Sequence, residues 1–238
     1  MDCKDFYLGV HNSIHENIKT SLSSEYYQQI ASANAFIDDY LLWETWISKS
    51  YGSEIFKLAE TEYETSILFC LESLYKQAFT ALRACLEHTL FGIQLTTNLF
   101  QYLQWKNNSK DVYWSEITNI DSGLFSYNYF SIFAPEMWTL SQLMLELAKR
   151  VYRECSEFTH GNYRIYGSLN KAIFYEDSLI KRFFELLGSV KYIIEFSFFV
   201  RFNKELGQED VPKFEPQITE YLGHLKEVVD YLYFYNEG

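Results

Sequence analysis

Residues 71–93 read LESLYKQAFTALRACLEHTLFGI. Leu71, Tyr75, Ala78/Phe79, Leu82, Leu86, Leu90 and Ile93 recur in steps of three and four, so they form one apolar stripe along a helix. No proline lies between Gly52 and Ala134, which allows one very long helix or two stacked ones. Outward from this segment the same period recurs. Tyr27, Ile30, Ala33, Ile37, Leu41 and Trp43/Trp46 predict a helix over 24–48. Ser53 is placed to cap a further helix start. Residues 139–160 repeat the pattern through Leu140, Leu143/Met144, Leu147, Val151 and Phe158, with Gly161 where a C-cap belongs. A long apolar helix is expected from Lys171 or Glu176 to about Glu205. A break follows over 207–216, which holds two of the three prolines, and then an amphipathic helix over 217–235.

No stretch alternates with period two, so the fold class is all-α: a bundle of five to seven helices in one domain over 1–238. Residues 1–50 form an N-terminal helical segment and 53–238 the bundle. The helical pattern lapses near 106–137. That span predicts a long irregular loop, Tyr/Phe-rich over 122–135, of the kind that serves as a lid or partner surface. Composition agrees with helices: only 10 Gly and 3 Pro in 238 residues, beside 20 Phe, 20 Tyr and 5 Trp.

The formal charge is −12 at pH 7, which excludes a uniformly basic nucleic-acid surface and disfavours an anionic membrane. No basic and apolar leader opens the chain, and the most apolar stretch, 192–202, is too short and too charged to span a bilayer. Cys3, Cys70, Cys85 and Cys155 form no C-x-x-C pair and read as free buried thiols of a reducing cytoplasm. Phosphate-loop, dinucleotide, zinc-protease and serine-hydrolase motifs are absent. His11 and His15 share a helix face but read as exposed polar residues. Glu157 and His160 make one E-x-x-H, where a di-iron site needs a second. No metal or cofactor is called for.

One segment carries chemistry. In YRECSEFTHG (152–161), Arg153 and His160 lie within ~20° of one helical azimuth and ~10 Å apart along the axis. Ser156 and Lys149 fall on that side, opposite the stripe of Leu140, Leu147, Val151 and Phe158. A histidine moves protons near neutral pH, and an arginine holds phosphate through two hydrogen bonds. The row therefore suits phosphodiester cleavage, with RNA supplying its own 2′-hydroxyl nucleophile. Two copies across a two-fold would give two of each group, so a homodimer is expected.

An arginine followed after six residues by a histidine, late in a helix of an all-α bundle, resembles the R-x4–6-H motif of the HEPN superfamily. The ending Ser156-Glu157-Phe158-Thr159-His160-Gly161 resembles the S-x-x-x-H-G helix end of uncharacterised bacterial members. The resemblance implies a metal-independent endoribonuclease of a toxin–antitoxin, abortive-infection or CRISPR-linked defence system. It implies Arg153 and His160 as the catalytic pair at a dimer interface, with Ser156, Lys149 and Tyr152 in support. The position after the arginine, commonly Asn, Asp or His in active members, is Glu154 here.

Glu154 falls close to Leu140 and Leu147 in azimuth and so is expected to be buried. A buried carboxylate needs a partner, and Arg83, on the border of the 71–93 stripe beside Glu87, is the expected one. Tyr152 would add a hydroxyl to that structural ion-pair network. The other reading of an acidic, aromatic-rich chain is a non-catalytic partner for a basic protein, of the antitoxin or immunity type. Lys149, Arg150, Arg153 and Arg164 gathered around His160 would favour the ribonuclease.

Overall fold

The computed structural model describes residues 2–160 and 173–236 and is helical throughout them. Eleven α-helices occur among the described residues. In chain order they are α1 (Cys3–Leu22), α2 (Tyr27–Ile47), α3 (Glu54–Leu71), α4 (Tyr75–Leu95), α5 (Leu99–Lys106), α6 (Trp114–Ile117), α7 (Tyr127–Phe133), α8 (Ser141–His160), α9 (Asp177–Phe202), α10 (Val211–Leu222) and α11 (Lys226–Asn236). Two 3-10 turns, Pro135–Leu140 and Asn203–Glu205, lead into α8 and follow α9. The all-α class holds, and the expected count of five to seven falls short. No described helix is long and apolar enough to cross a membrane.

The opening stretch turns out to span a corner. Leu71 ends α3, and the stripe resumes in α4 at Tyr75. Ser73 takes the left-handed conformation (φ 63°). Its N–H bonds the Cys70 carbonyl at 3.0 Å, and the Leu74 N–H bonds the Phe69 carbonyl at 2.8 Å. This pairing terminates a helix in a tight reversal. The two helices then run back antiparallel at close range. A Cβ on Gly92 would meet Ile55 and Phe56 side-chain atoms at 2.6 Å, so a glycine is what allows the approach.

Two of the excess helices, α6 and α7, lie in the predicted loop, and α5 leads into it. Asn98 and Ser126 accept the Gln101 and Tyr129 backbone N–H groups and start α5 and α7. Ile117, Leu124, Phe125, Phe130 and Met137 from this span are all buried. The segment is thus a set of short capped helices that plug the core; its apolar residues are too few per helix to show a period. The other extra break divides the C-terminal region. Pro212 sits in the first turn of α10, where a missing N–H leaves nothing unpaired, and Pro216 is carried inside the helix. The break therefore covers only 207–210, and burial of Phe214, Ile218 and Leu222 holds the prolines in a helix.

Helix α9 is the spine. From Val190 to Asn203 every side chain except Tyr192 is buried, and α2, α3, α4, α7, α8 and α10 pack around it. Many of the surplus aromatics fill this core. Trp43 of α2 lies 4.2 Å from the Phe214 ring and 5.3 Å from Phe198, centroid to centroid. Among these rings sits a carboxyl group, Glu195, with no exposed surface. Trp43 Nε1 donates to both of its oxygens at 3.1 Å, and Gln217 Nε2 at 3.2 and 3.3 Å. Burial pushes its pKa from 4.5 up to about 8, against the pull of those donors.

Because the folded-state pKa is raised, the Glu195 carboxyl favours the fold fully below its unfolded pKa, and this contribution is lost as pH rises through the folded value. Glu195→Gln keeps the hydrogen-bonding shape and cannot ionise. Denaturant unfolding at about pH 5 and about pH 8.5 should show the glutamine variant gaining on the wild type by ~1–4 kcal/mol at the higher pH. An equal gap at both pH values would contradict the buried-acid assignment.

Candidate functional site

The site lies on α8, and its geometry follows from how that helix is seated. Met144, Ala148, Val151, Cys155 and Phe158 are buried against α4 and α9. Phe158 stacks on Phe79 of α4 with ring centroids 3.7 Å apart, and the Thr159 and Thr80 hydroxyls meet at 3.1 Å. The buried stripe is rotated toward Cys155, by about half of the ~100° residue step, relative to the one read from sequence. Two residues misled that reading: Leu143 is exposed, and Leu147 is only half-buried. Cys155 is fully buried, and burial pushes its thiol up to about 12; Cys70 and Cys85 are buried too, but Cys3, expected to be buried with them, is exposed near the start of α1.

Arg153 marks the middle of the outer face, with 79% of its side chain exposed. His160, the last described residue of α8, is exposed. Ser156 is half-buried and donates its hydroxyl to the Tyr152 carbonyl at 2.7 Å, one turn back. Lys149 is half-buried and Arg150 exposed. Neither makes an ion pair among the described residues, whereas Arg153 Nε lies 3.5 Å from Glu157 Oε1. Gly161 and Arg164 lie outside the described residues.

The residues on either side of Arg153 are both held, by different helices. Tyr152, ~100° to one side, faces α4. Its ring is stacked on Trp114 of α6 at 3.9 Å, with the Arg83 guanidinium 4.4 Å from the ring centroid. Arg83 donates to the Tyr152 hydroxyl, which donates to Glu87 at 3.4 Å; Arg83 and Glu87 are 3.6 Å apart. Burial raises the Glu87 carboxyl, opposed by Arg83 and Tyr152.

Glu154, ~100° to the other side, faces α9. It pairs with Arg182, which also holds Glu185 at 2.7 Å. This corrects the sequence expectation. Glu154 is half-buried at the edge of the stripe, and its cation is Arg182 of α9, because its azimuth points away from α4 and Arg83. Arg83 and Glu87 do form a pair, joined by Tyr152. Sequence reasoning missed both Trp114 and Arg182. No local spacing links Arg182 to α8, since residues 161–172 intervene, and Trp114 lay in the supposed loop.

The chain matches no family model, no curated protein and no solved structure.

The outer face of α8 therefore offers a proton-transfer group and cations in line, in the order Lys149, Arg153, His160. Among the described residues no group of three or more His, Cys, Asp or Glu side chains is placed to hold a metal ion. His11 and His15 are exposed on α1.

Double-mutant cycles test the corrected pairing. Glu154→Gln with Arg182→Gln should show a coupling of ~0.5–1 kcal/mol in unfolding experiments, the size expected of a partly exposed pair. Glu154→Gln with Arg83→Gln should show none. Coupling to Arg83 and not to Arg182 would restore the phase read from sequence.

Proposed function

We propose that the protein is a metal-independent endoribonuclease that works as a homodimer, in the manner of the HEPN proteins its motif helix resembles. What supports this reading most is the exposed line of Arg153 and His160 on a helix that cannot easily roll. Tyr152 is gripped by Arg83 and Trp114 on one side and Glu154 by Arg182 on the other, so the face between them is committed to solvent or to a second copy. The 2′-hydroxyl of single-stranded RNA attacks the adjacent phosphorus. His160 transfers a proton and Arg153 stabilises the charge of the phosphorane. The 5′-oxygen leaves and takes up a proton, and the product carries a 2′,3′-cyclic phosphate. Two helices meeting across a two-fold would place a second Arg153 and His160 at the same phosphate.

A second reading is favoured by the charge of −12 and by exposed aromatic side chains, Phe6 and Tyr7 on α1 and Tyr127 and Trp138 near α7. On that reading the chain binds a basic protein and does no chemistry.

Cleavage of single-stranded RNA in EDTA is expected, and His160→Ala and Arg153→Ala should each lower it by 10²-fold or more. Both variants should melt close to the wild type, since both side chains stand clear of the core. Light scattering should report a dimer. Cleavage that survives His160→Ala, or that EDTA abolishes, contradicts the mechanism. A monomer that cuts no RNA moves the assignment to the binding-protein reading.

A further inference from the structure

Lys149 is the cation of the row that the cleavage chemistry leaves unused. It lies four residues before Arg153, ~6 Å along the axis and ~40° around it, on the same side as His160. Arg150 lies ~60° to the opposite side. Arg153 has a local carboxylate to answer it, Glu157 at 3.5 Å. Lys149 has no ion-pair partner among the described residues. Its stem is half-buried, which limits the directions its ammonium takes. One helical turn is of the same order as the spacing of neighbouring phosphates along a nucleic-acid strand, so two cations a turn apart meet two consecutive phosphates.

We propose that Lys149 is a second phosphate subsite: it holds the phosphate next to the one at Arg153, so the strand runs along α8 from Lys149 toward His160. This rests on the ribonuclease reading for the identity of the strand. It goes beyond that reading by assigning the line the strand follows, a preference for substrates with at least two phosphates and the residue that holds the second. A point charge on a flexible stem holds any phosphate, so the subsite selects for strand length and not for base.

Binding and cleavage test it separately. The binding probe is a single-stranded 2′-O-methyl oligonucleotide, which lacks the nucleophile and stays intact. Its affinity is measured by fluorescence anisotropy over a range of salt. Lys149→Ala should weaken binding ~3–10-fold and lower the slope of log affinity against log salt by ~0.7, the share of one phosphate contact on a single strand. Arg150→Ala should lower the slope by less. For cleavage, an oligonucleotide is compared with a dinucleoside monophosphate, which has one phosphate. The KM penalty of Lys149→Ala should be ~3–10-fold greater on the oligonucleotide. Equal penalties on both substrates, or an unchanged salt slope, would overturn the subsite. Binding with the predicted slope change but no cleavage by the wild type would uphold the subsite and refute the ribonuclease. An oligonucleotide that does not bind at all would refute both.

Discussion

The fold depends on a helix that is apolar on almost every side. An amphipathic helix can lie on a surface, but α9 from Val190 onward has almost no polar face to give to water. Burying it requires neighbours around its whole circumference, and α2, α3, α4, α7, α8 and α10 supply them. This explains why short, poorly periodic helices such as α7 persist. Alone they would be marginal, but Phe130 closes a gap beside Phe196. It also explains where α8 sits. With one side on α4 and another on α9, the face it leaves free among the described residues is the strip centred on Arg153.

Three ionisable groups admitted to the core tie helices together. Glu195 joins α9 to α2 through Trp43 and to α10 through Gln217. Lys191 is buried on the same helix, donating to the Ser32 carbonyl and hydroxyl at 3.2 and 2.9 Å beside the Phe36 and Tyr221 rings. Burial lowers its pKa, against the pull of Glu220 and Asp39. Arg201 bonds Thr96 at 3.1 Å and pairs with Glu205, its guanidinium close to Phe133 and Phe202. Each of these groups is satisfied only when its helix is in register. Leaving one unpaired in so apolar a setting costs ~1–3 kcal/mol, which penalises alternative packings that apolar contacts alone would tolerate.

The sequence was legible where helices are long and one face is clear. The runs through Tyr27–Ile47, Tyr75–Leu95 and Ser141–His160 stand where their periods put them. It was illegible in two ways. Short helices have too few apolar residues to reveal a period, so 106–137 read as a loop although Ser126 was a cap signal in plain view. Apolar residues that stand off the core were the second cause. Leu143 is exposed and Leu147 only half-buried, so counting both into the α8 stripe turned its phase toward Glu154. The resulting phase error drew Glu154 inward. Arg153 and His160 survived this error because they lie far from the stripe's border, whereas Glu154, on the border, changed its partner from Arg83 to Arg182.

The functional reading sets a local cationic row against a net charge of −12. In an acidic protein such a row attracts phosphate only at short range, which suits a site completed by a second copy of itself. The central claim is that two α8 rows face each other across a two-fold. It is tested by pulsed dipolar spectroscopy on nitroxides attached at Arg153→Cys in a Cys3→Ser background, where Cys70, Cys85 and Cys155 are buried and escape labelling. The account predicts one short, narrow intermolecular distance. Absence of intermolecular coupling, or a long and broad distribution, would contradict it.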